Sequence, residues 1–179
     1  EGLLRQEALD ITQLAVDTHG YTDFGMAFAH GPGLDLCPRL KALNERHLWL
    51  PRGCEVPEIL KPICHATLDL GEVPSHWDEW VRLIASAYSG HTSAINALAR
   101  FGSAARGDPL YEVGVVIGKL LRTVFLADYF VNPAFRRDLL RVLNRGEATN
   151  TLKRLIYTGR APNQQAKDEH EMQAVADAL

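Results

Sequence analysis

The sequence predicts an α/β fold in which short strands come first and long helices follow. Residues 8–16 alternate loosely between apolar and polar side chains, which is typical of a half-buried strand. Residues 47–50 and 66–70 are further strand candidates, separated by proline-rich connections. From residue 75 onward, apolar side chains recur at helical spacing almost throughout. We therefore expect a small sheet, with a helical block that covers it or is inserted into it.

Caps and breakers define the first predicted helices. Asp23 is the expected N-cap of a helix over residues 24–30, which the Gly-Pro-Gly sequence at 31–33 ends. Ser75 is the expected N-cap of the next helix, and Gly90 is its expected end. The apolar face of this helix is predicted to consist of Trp77, Trp80, Val81, Ile84, Ala85 and Tyr88.

Proline positions delimit the later helices. A helix over residues 91–101 precedes Asp108-Pro109, which begins a long helix. Asn132-Pro133 interrupts the pattern, and Pro133 suits the first position of another helix. That helix is expected to end at Asn144, and a further one to carry Glu147. We divide the chain into a sheet-containing core part (1–74), a helical insertion (75–131) and helices that return Glu147 to the core (132–179).

Composition excludes several classes of protein. Charged residues are 23% and hydrophobic residues 46% of the chain, which is typical of globular proteins. A net charge of −3 means that any nucleic-acid contact must come from a local basic patch. No stretch reaches the about 18 apolar residues that a membrane span needs, so we expect no membrane partner and a cytoplasmic location. We also expect the chain to be a piece of a larger protein.

The cysteine pattern favours a reducing compartment. Cys37, Cys54 and Cys64 are odd in number and form no CxxC pair, which argues against a disulfide framework. Zinc sites usually need close pairs of ligands, and only Cys64 and His65 are near one another. Buried thiols and surface imidazoles are the favoured interpretation.

Two distant carboxylates form the strongest candidate site. Asp17 ends the first predicted strand, and Glu147 begins a segment with helical periodicity. Two divalent ions held by such acids can activate an attacking oxygen and stabilise a leaving oxygen in phosphodiester transfer. Mg²⁺ prefers carboxylate oxygens, and Asp23 is a candidate third acid. The residues alone leave open that both carboxylates only cap turns and helices.

Basic residues surround Glu147. Arg137, Arg141 and Arg145 recur every four residues, which places them on one helical face. A metal-binding acid within a basic surface is expected beside a polyanion, although a solvated basic face remains the alternative. The candidate DNA-binding residues are Arg136, Arg137, Arg141, Arg145, Asn150, Lys153 and Arg154.

Several segments form recognisable motifs: DTHGYTD at 17–23, LCPRL at 36–40, HLWLP at 47–51, HWDE at 76–79, LRTVF at 121–125 with Asp128, and LNRGEA at 143–148. In the same order, they resemble motifs of the DDE transposases of the Tn3 class of replicative transposons. The resemblance covers essentially the whole chain. The chain departs from the family pattern around Gly114, Gly118 and Lys119.

The resemblance implies a partial RNase H-like catalytic core with a large, mainly helical insertion. It implies that Asp17 and Glu147 bind Mg²⁺ or Mn²⁺ in a two-metal site, with His19 next to the metals and the scissile phosphate. It further implies strand cleavage at transposon ends, transfer of a 3′-hydroxyl to target DNA, and self-association in a transposition complex. The partners would be terminal inverted repeats and target DNA.

The family pattern places its first catalytic aspartate upstream of the DTHG motif, outside this chain. We therefore expect the chain alone to be inactive but to retain weak metal and DNA binding. Two alternatives stay open. One is a nuclease that uses the same acids only for hydrolysis. The other is a non-catalytic helical module for assembly or DNA binding, whose interface aromatics would be Trp77, Trp80, Tyr88, Phe101, Phe125, Tyr129 and Phe130.

Overall fold

A computed structural model describes residues 11–18, 20–64, 66–101 and 107–156 of the chain. The strands are β1 (Gln13–Val16), β2 (Asp35–Pro38), β3 (Trp49–Pro51) and β4 (Ala66–Leu68). The helices are α1 (Asp23–His30), α2 (Glu72–Ser75), α3 (Trp77–Tyr88), α4 (Ala94–Arg100), α5 (Pro109–Val131) and α6 (Pro133–Ile156). Short 3₁₀ turns cover Leu43–Glu45 and Glu58–Ile63.

The described strands form two separate parallel pairs, β1 with β2 and β3 with β4. A parallel pair needs a crossover connection, and α1 lies in the connection between β1 and β2. The predicted strands at 47–50 and 66–70 are confirmed with shifted bounds. β2 was not predicted, because it has only four residues and ends in a proline. Leu36 and Cys37 are its only aliphatic or thiol side chains. The mixed helix and strand content confirms an α/β protein, while a single RNase H-like sheet stays an expectation of the resemblance.

The first hydrophobic core lies where α1 packs on α5. It includes Phe24, Phe28, Trp80, Phe101 and Val113. Glycines on α5 allow the close approach: a Cβ added at Gly118 would lie 1.7 Å from the carbonyl oxygen of Asp23. One added at Gly114 would lie 2.5 Å from the Phe24 ring. These glycines are where the chain departs from the family pattern, and the helix packing accounts for them.

A second hydrophobic core seats α6 on the first strand pair. Met26 of α1, Cys37 of β2, Phe125 and Tyr129 of α5, and Leu139 of α6 are buried together there. Burial, with a smaller contribution from Asp35, raises the pKa of the Cys37 thiol to about 11. The thiol is therefore protonated at neutral pH and packs as a small apolar group. Because α5 contributes to both cores, it fixes α1 and α6 relative to each other.

Two predicted caps were each wrong by one residue. Thr22, not Asp23, caps α1: its hydroxyl oxygen accepts from the Gly25 N–H at 3.0 Å. Ser75 ends the short helix α2, and α3 begins at Trp77 after His76. A helix start after a sharp turn offers several polar residues as caps, and the sequence alone does not choose among them.

The predicted apolar face of α3 was also partly wrong. Trp80 and Ala87 are buried, with Leu83 and Ile84 packed beside them, whereas Val81 and Ala85 are exposed. Apolar residues lie on more than one side of this helix, so the periodicity did not define a single core-facing side. The buried face is the one that contacts α1 and α5, a choice made by tertiary packing.

The predicted boundaries of α5 and the start of α6 are confirmed. The Asp108 side chain accepts from the Leu110 N–H at 2.9 Å, and Pro133 begins α6. The predicted end at Asn144 is wrong, because α6 continues without a break through Gly146 to Ile156. A single helical glycine costs only about 1 kcal/mol relative to alanine. The predicted helix over 91–101 is shorter in the structure, as α4.

In the described part of the chain, no helix combines the length and apolar character that crossing a membrane requires.

Candidate active site and nucleic-acid interface

Asp17 lies directly after β1, as the sequence predicted, and it is exposed. Its carboxylate accepts from the Thr18 N–H at 2.6 Å, and its carbonyl accepts from the Gly20 N–H at 2.8 Å. The turn leaves little room, since a Cβ on Gly20 would lie 3.1 Å from the Val16 Cβ. The tight turn thus holds the Asp17 carboxylate at the carboxyl end of the strand. His19 lies outside the described residues.

Arg39 occupies the equivalent position after β2. Val16 is opposite Pro38 in the parallel register, and the Arg39 N–H donates to the Val16 carbonyl at 2.8 Å. Asp17 and Arg39 are therefore next to each other at the carboxyl ends of neighbouring parallel strands. In α/β proteins, ligands bind preferentially at this edge. Apart from its place in the LCPRL motif, no sequence signal pointed to a role for Arg39.

The Arg39 guanidinium connects this edge to α6. Nη1 donates to Glu147 Oε1 at 2.7 Å, and Nη2 donates to Asn144 Oδ1 at 2.7 Å. The Arg39 side chain is 21% exposed and that of Glu147 is 65% exposed. The two acceptors are three residues apart on one helix, so they project from the same side. Glu147 is thus connected, through the Arg39 side chain, to the sheet edge that carries Asp17.

A basic face runs along α6, the helix that also carries Glu147. Because the helix is continuous, Arg137, Arg141 and Arg145 lie on one side of it. An open groove of about 490 Å³ is lined by these arginines with Leu140, Asn144 and Ala148. Arg141 also pairs with Asp138 at 2.5 Å, and both side chains remain largely exposed. Asn144 lines the groove and accepts from Arg39, which joins the basic face to the carboxylate.

Two other candidate DNA-binding residues, Arg136 and Asn150, do not join this groove. The Arg136 guanidinium donates to the Tyr129 carbonyl at 3.1 Å and lies 5.7 Å from the centre of its ring. The Arg136 side chain therefore links the start of α6 to the carboxyl-terminal part of α5. Asn150 is exposed, but it lies about two and a half helical turns beyond Arg141 and so on the opposite side. The side chains of Lys153 and Arg154 lie outside the described residues.

Asp23, the candidate third acid, forms an ion pair instead. Its carboxylate lies 2.6 Å from Arg122, and both side chains are less than one-fifth exposed, at 18% and 19%. Burial raises the pKa of Asp23 above its ordinary value, while the charges of Arg122 and Lys119 act in the opposite direction. The pair ties the start of α1, six residues after Asp17, to the middle of α5. The ion pair is therefore a structural contact between the DTHGYTD and LRTVF motifs.

A third pair of motifs meets where β3 packs on α5. The Thr123 hydroxyl accepts from the Trp49 N–H at 2.9 Å and donates to the Lys119 carbonyl at 2.9 Å. The Lys119 ammonium lies 4.2 Å from the centre of the Trp49 ring, a geometry that favours a cation–π interaction. The HLWLP and LRTVF motifs are thus explained by packing.

Asp17 and Glu147 fit part of a divalent-metal site. Both present the hard oxygen ligands that Mg²⁺ and Mn²⁺ prefer. One oxygen of the Glu147 carboxylate accepts a hydrogen bond from Arg39, and the other oxygen is of the kind that can bind a cation. Over the described ranges, with their gaps at 19, 65 and 102–106, no group of three or more His, Cys, Asp or Glu side chains could hold a metal ion. Asp17 and Glu147 therefore contribute two carboxylates to such a metal site.

Comparison with known proteins identifies related sequences over the whole chain. The Tn3 transposase DDE domain family matches residues 1–179. The chain is 63% identical, over 179 residues, to the transposase for insertion sequence element IS1071 in transposon Tn5271 of Comamonas testosteroni. That match covers 100% of this chain and 18% of the relative.

More distant relatives match slightly less of the chain. The transposase for transposon Tn501 of Pseudomonas aeruginosa is 34% identical over 161 residues, which are 89% of this chain and 16% of that protein. The transposase for transposon Tn21 of Escherichia coli is 34% identical over 158 residues, 88% of this chain and 16% of that protein. The chain spans less than one-fifth of the length of each of these relatives.

Proposed function

The chain belongs to the Tn3 transposase DDE domain family, and from that premise we propose that it supplies two acids for metal-dependent DNA strand cleavage and strand transfer. The substrates would be transposon ends with their terminal inverted repeats, whose 3′-hydroxyl is then joined to target DNA. The observation that supports this proposal is the bond from Arg39, which follows β2 at the sheet edge of Asp17, to Glu147 of α6.

Asp17 and Glu147 are the proposed metal ligands, and His19 is proposed to lie next to the scissile phosphate. When bound, Mg²⁺ or Mn²⁺ would polarise the phosphate and stabilise the developing charge on the attacking and leaving oxygens. The chain's own residues orient the carboxylates and neutralise the DNA backbone. Arg137, Arg141 and Arg145 are suited to the second task because phosphate oxygens are their natural partners.

We propose that a further acid comes from outside the described residues, as the resemblance implies. The ion pair between Asp23 and Arg122 supports this, since it engages the in-chain candidate elsewhere. On this proposal the 179-residue chain alone neither cleaves nor joins DNA. It retains weak binding of divalent metal and of DNA.

The basic face gives a prediction for DNA binding. Replacing Arg137, Arg141 and Arg145 together with glutamine is expected to weaken duplex binding by the 179-residue chain and to flatten its salt dependence. Each lost phosphate contact lowers the slope of log K against log[salt] by about 0.9. Fluorescence anisotropy over a salt series measures both quantities. The control carries the same charge change at exposed cations away from α6: Arg52→Gln, Lys61→Gln and Arg82→Gln.

Equal weakening in the control and in the α6 variant would mean that only net charge matters, and it would remove the groove as the DNA site. Arg136→Gln tests a further basic candidate on α6. Because its guanidinium contacts Tyr129, it is expected to lower stability more than DNA affinity.

Joining of a pre-cut end separates a transposase from a hydrolysing nuclease. Water and a 3′-hydroxyl attack a phosphodiester in the same geometry, so the carboxylates alone do not distinguish them. A full-length transposase that carries this chain as its DDE domain is given a pre-cut transposon end and a plasmid target. We expect covalently joined products in the presence of Mg²⁺. Nicked target without joined product would instead support the nuclease.

The non-catalytic assembly module has less support. Of its candidate aromatics, Trp80, Phe101, Phe125 and Tyr129 are buried in the two cores. Trp77, Tyr88 and Phe130 are 49%, 66% and 38% exposed. These three are the surface aromatics on which we base the proposal that the transposase self-associates in a transposition complex.

A further inference from the structure

The contact between Arg39 and α6 suggests a role that goes beyond holding the fold together. We propose that Arg39 is a positioning residue that orders the Glu147 carboxylate for binding a divalent cation. The inference rests on the proposed function, because it names a determinant of the same site. Its basis is a fork of two bonds from one guanidinium to two side chains of α6.

Arg39 is itself well anchored. Its N–H is bonded to the Val16 carbonyl beside Asp17, and only 21% of its side chain is exposed. Arginine is a rigid, planar donor with no acceptor, so the atom of Asn144 that faces it must be the amide oxygen. Both bonds therefore have a fixed direction. The guanidinium therefore holds α6 in a fixed position relative to the strand end that carries Asp17.

Glu147, in contrast, is 65% exposed, and a surface glutamate without a partner samples many rotamers. The bond from Arg39 to Oε1 selects one orientation of the Glu147 carboxylate. It thereby also sets the direction in which the second carboxylate oxygen points. Asn144 holds the other arm of the fork, so the guanidinium cannot rotate away from Glu147 without losing a second bond. Outer-shell partners of this kind typically change metal affinity or activity about 10- to 100-fold.

The guanidinium has an opposing effect as well, because its positive charge repels a cation. At a carboxylate this exposed, the high dielectric constant of the surrounding water weakens that repulsion. Ordering is not weakened in the same way. The two effects have opposite signs in a metal titration: loss of ordering raises the Mg²⁺ concentration that cleavage requires, and loss of repulsion lowers it. We expect ordering to dominate.

The experiment has two readouts on the full-length transposase that carries this chain: a Mg²⁺ titration of DNA cleavage and, without DNA, Mn²⁺ binding followed by electron paramagnetic resonance. The Mn²⁺ dissociation constant should change in the same direction as the Mg²⁺ concentration that half-saturates cleavage. Arg39→Gln is expected to raise the half-saturating Mg²⁺ concentration about tenfold, with a smaller loss of rate at saturating Mg²⁺. Arg39→Lys retains the charge but cannot form the fork, and we expect an intermediate shift. Arg52→Gln is the control, since its exposed ion pair with Asp69 lies away from α6; its titration should match the unsubstituted protein.

Asn144→Ala keeps the test informative if Arg39→Gln does not fold. It removes one arm of the fork at an exposed helical position, and it should raise the required Mg²⁺ concentration several-fold. An unchanged or lowered requirement in the variant that folds overturns the positioning role. Cleavage by Glu147→Gln with an unchanged Mg²⁺ requirement would overturn the proposed function itself, and so the two failures are distinguishable.

Discussion

Gly118→Ala is expected to destabilise the chain by about 3 kcal/mol or more, a large effect for one added methyl group. An ideal Cβ at this position would lie 1.7 Å from the carbonyl oxygen and 2.3 Å from the carbonyl carbon of Asp23. These are backbone atoms of α1, so no side chain can rotate to make room. Helix α1 would have to move away from α5. Urea unfolding of the 179-residue chain, followed by circular dichroism, measures the loss.

Gly146→Ala is the matched control for this substitution. Gly146 is also inside a helix, but apart from its chain neighbours and the adjacent backbone of its own helix no described atom lies within 4 Å of the position of an added Cβ. Helix propensity alone then applies, and we expect a gain of up to about 1 kcal/mol. The same chemical change should thus have opposite signs on α5 and α6. Equal effects at the two glycines would contradict the close packing of α1 on α5.

The close approach at Gly118 also bears on the candidate site. It fixes Asp23, whose carboxylate pairs with Arg122 one helical turn further along α5. Asp23 belongs to the same DTHGYTD segment as Asp17, and α1 begins at the end of that segment. Loosening α1 is therefore expected to disturb the turn that presents Asp17. Fold and site depend on the same helix contact.

Local signals predicted the parts of this fold that local chemistry determines. The end of β1 before Asp17, the cap at Asp108 and the helix start at Pro133 each depend on a few adjacent residues. β2 has only four residues and ends in proline, so its pattern was too short to detect. What defines it as a strand is its pairing with β1, a tertiary contact.

The role of Arg39 could not be derived from sequence for a similar reason. Its bond to Glu147 joins residues 108 positions apart, and neither helical nor strand periodicity reports on such a contact. The LCPRL match was the one sequence signal for Arg39. It placed this arginine in a motif but assigned it no role. The end of α6 was mispredicted because Asn144 and Gly146 resemble a helix terminus, although the helix continues through both.

Glu147→Gln is expected to lower DNA cleavage and joining by the full-length transposase by about 10³-fold or more. A metal-bound carboxylate contributes several kcal/mol of charge stabilisation through its ion, and each 1.36 kcal/mol corresponds to about a tenfold change in rate. Glutamine has the same shape and its amide oxygen can still accept from Arg39. The loss would therefore come from the missing charge and not from movement of α6.

DNA binding distinguishes this catalytic role from a structural one. Removing a negative charge from the helix that carries Arg137, Arg141 and Arg145 should leave DNA affinity unchanged or raise it, so Glu147→Gln should bind DNA while failing to cut it. Asp138→Asn makes the same charge change on the same helix, away from the Arg39 fork, and should still cleave. Cleavage by Glu147→Gln within tenfold of the unsubstituted protein would show that Glu147 is not a metal ligand. Its contact with Arg39 would then serve only to hold α6 against the first strand pair.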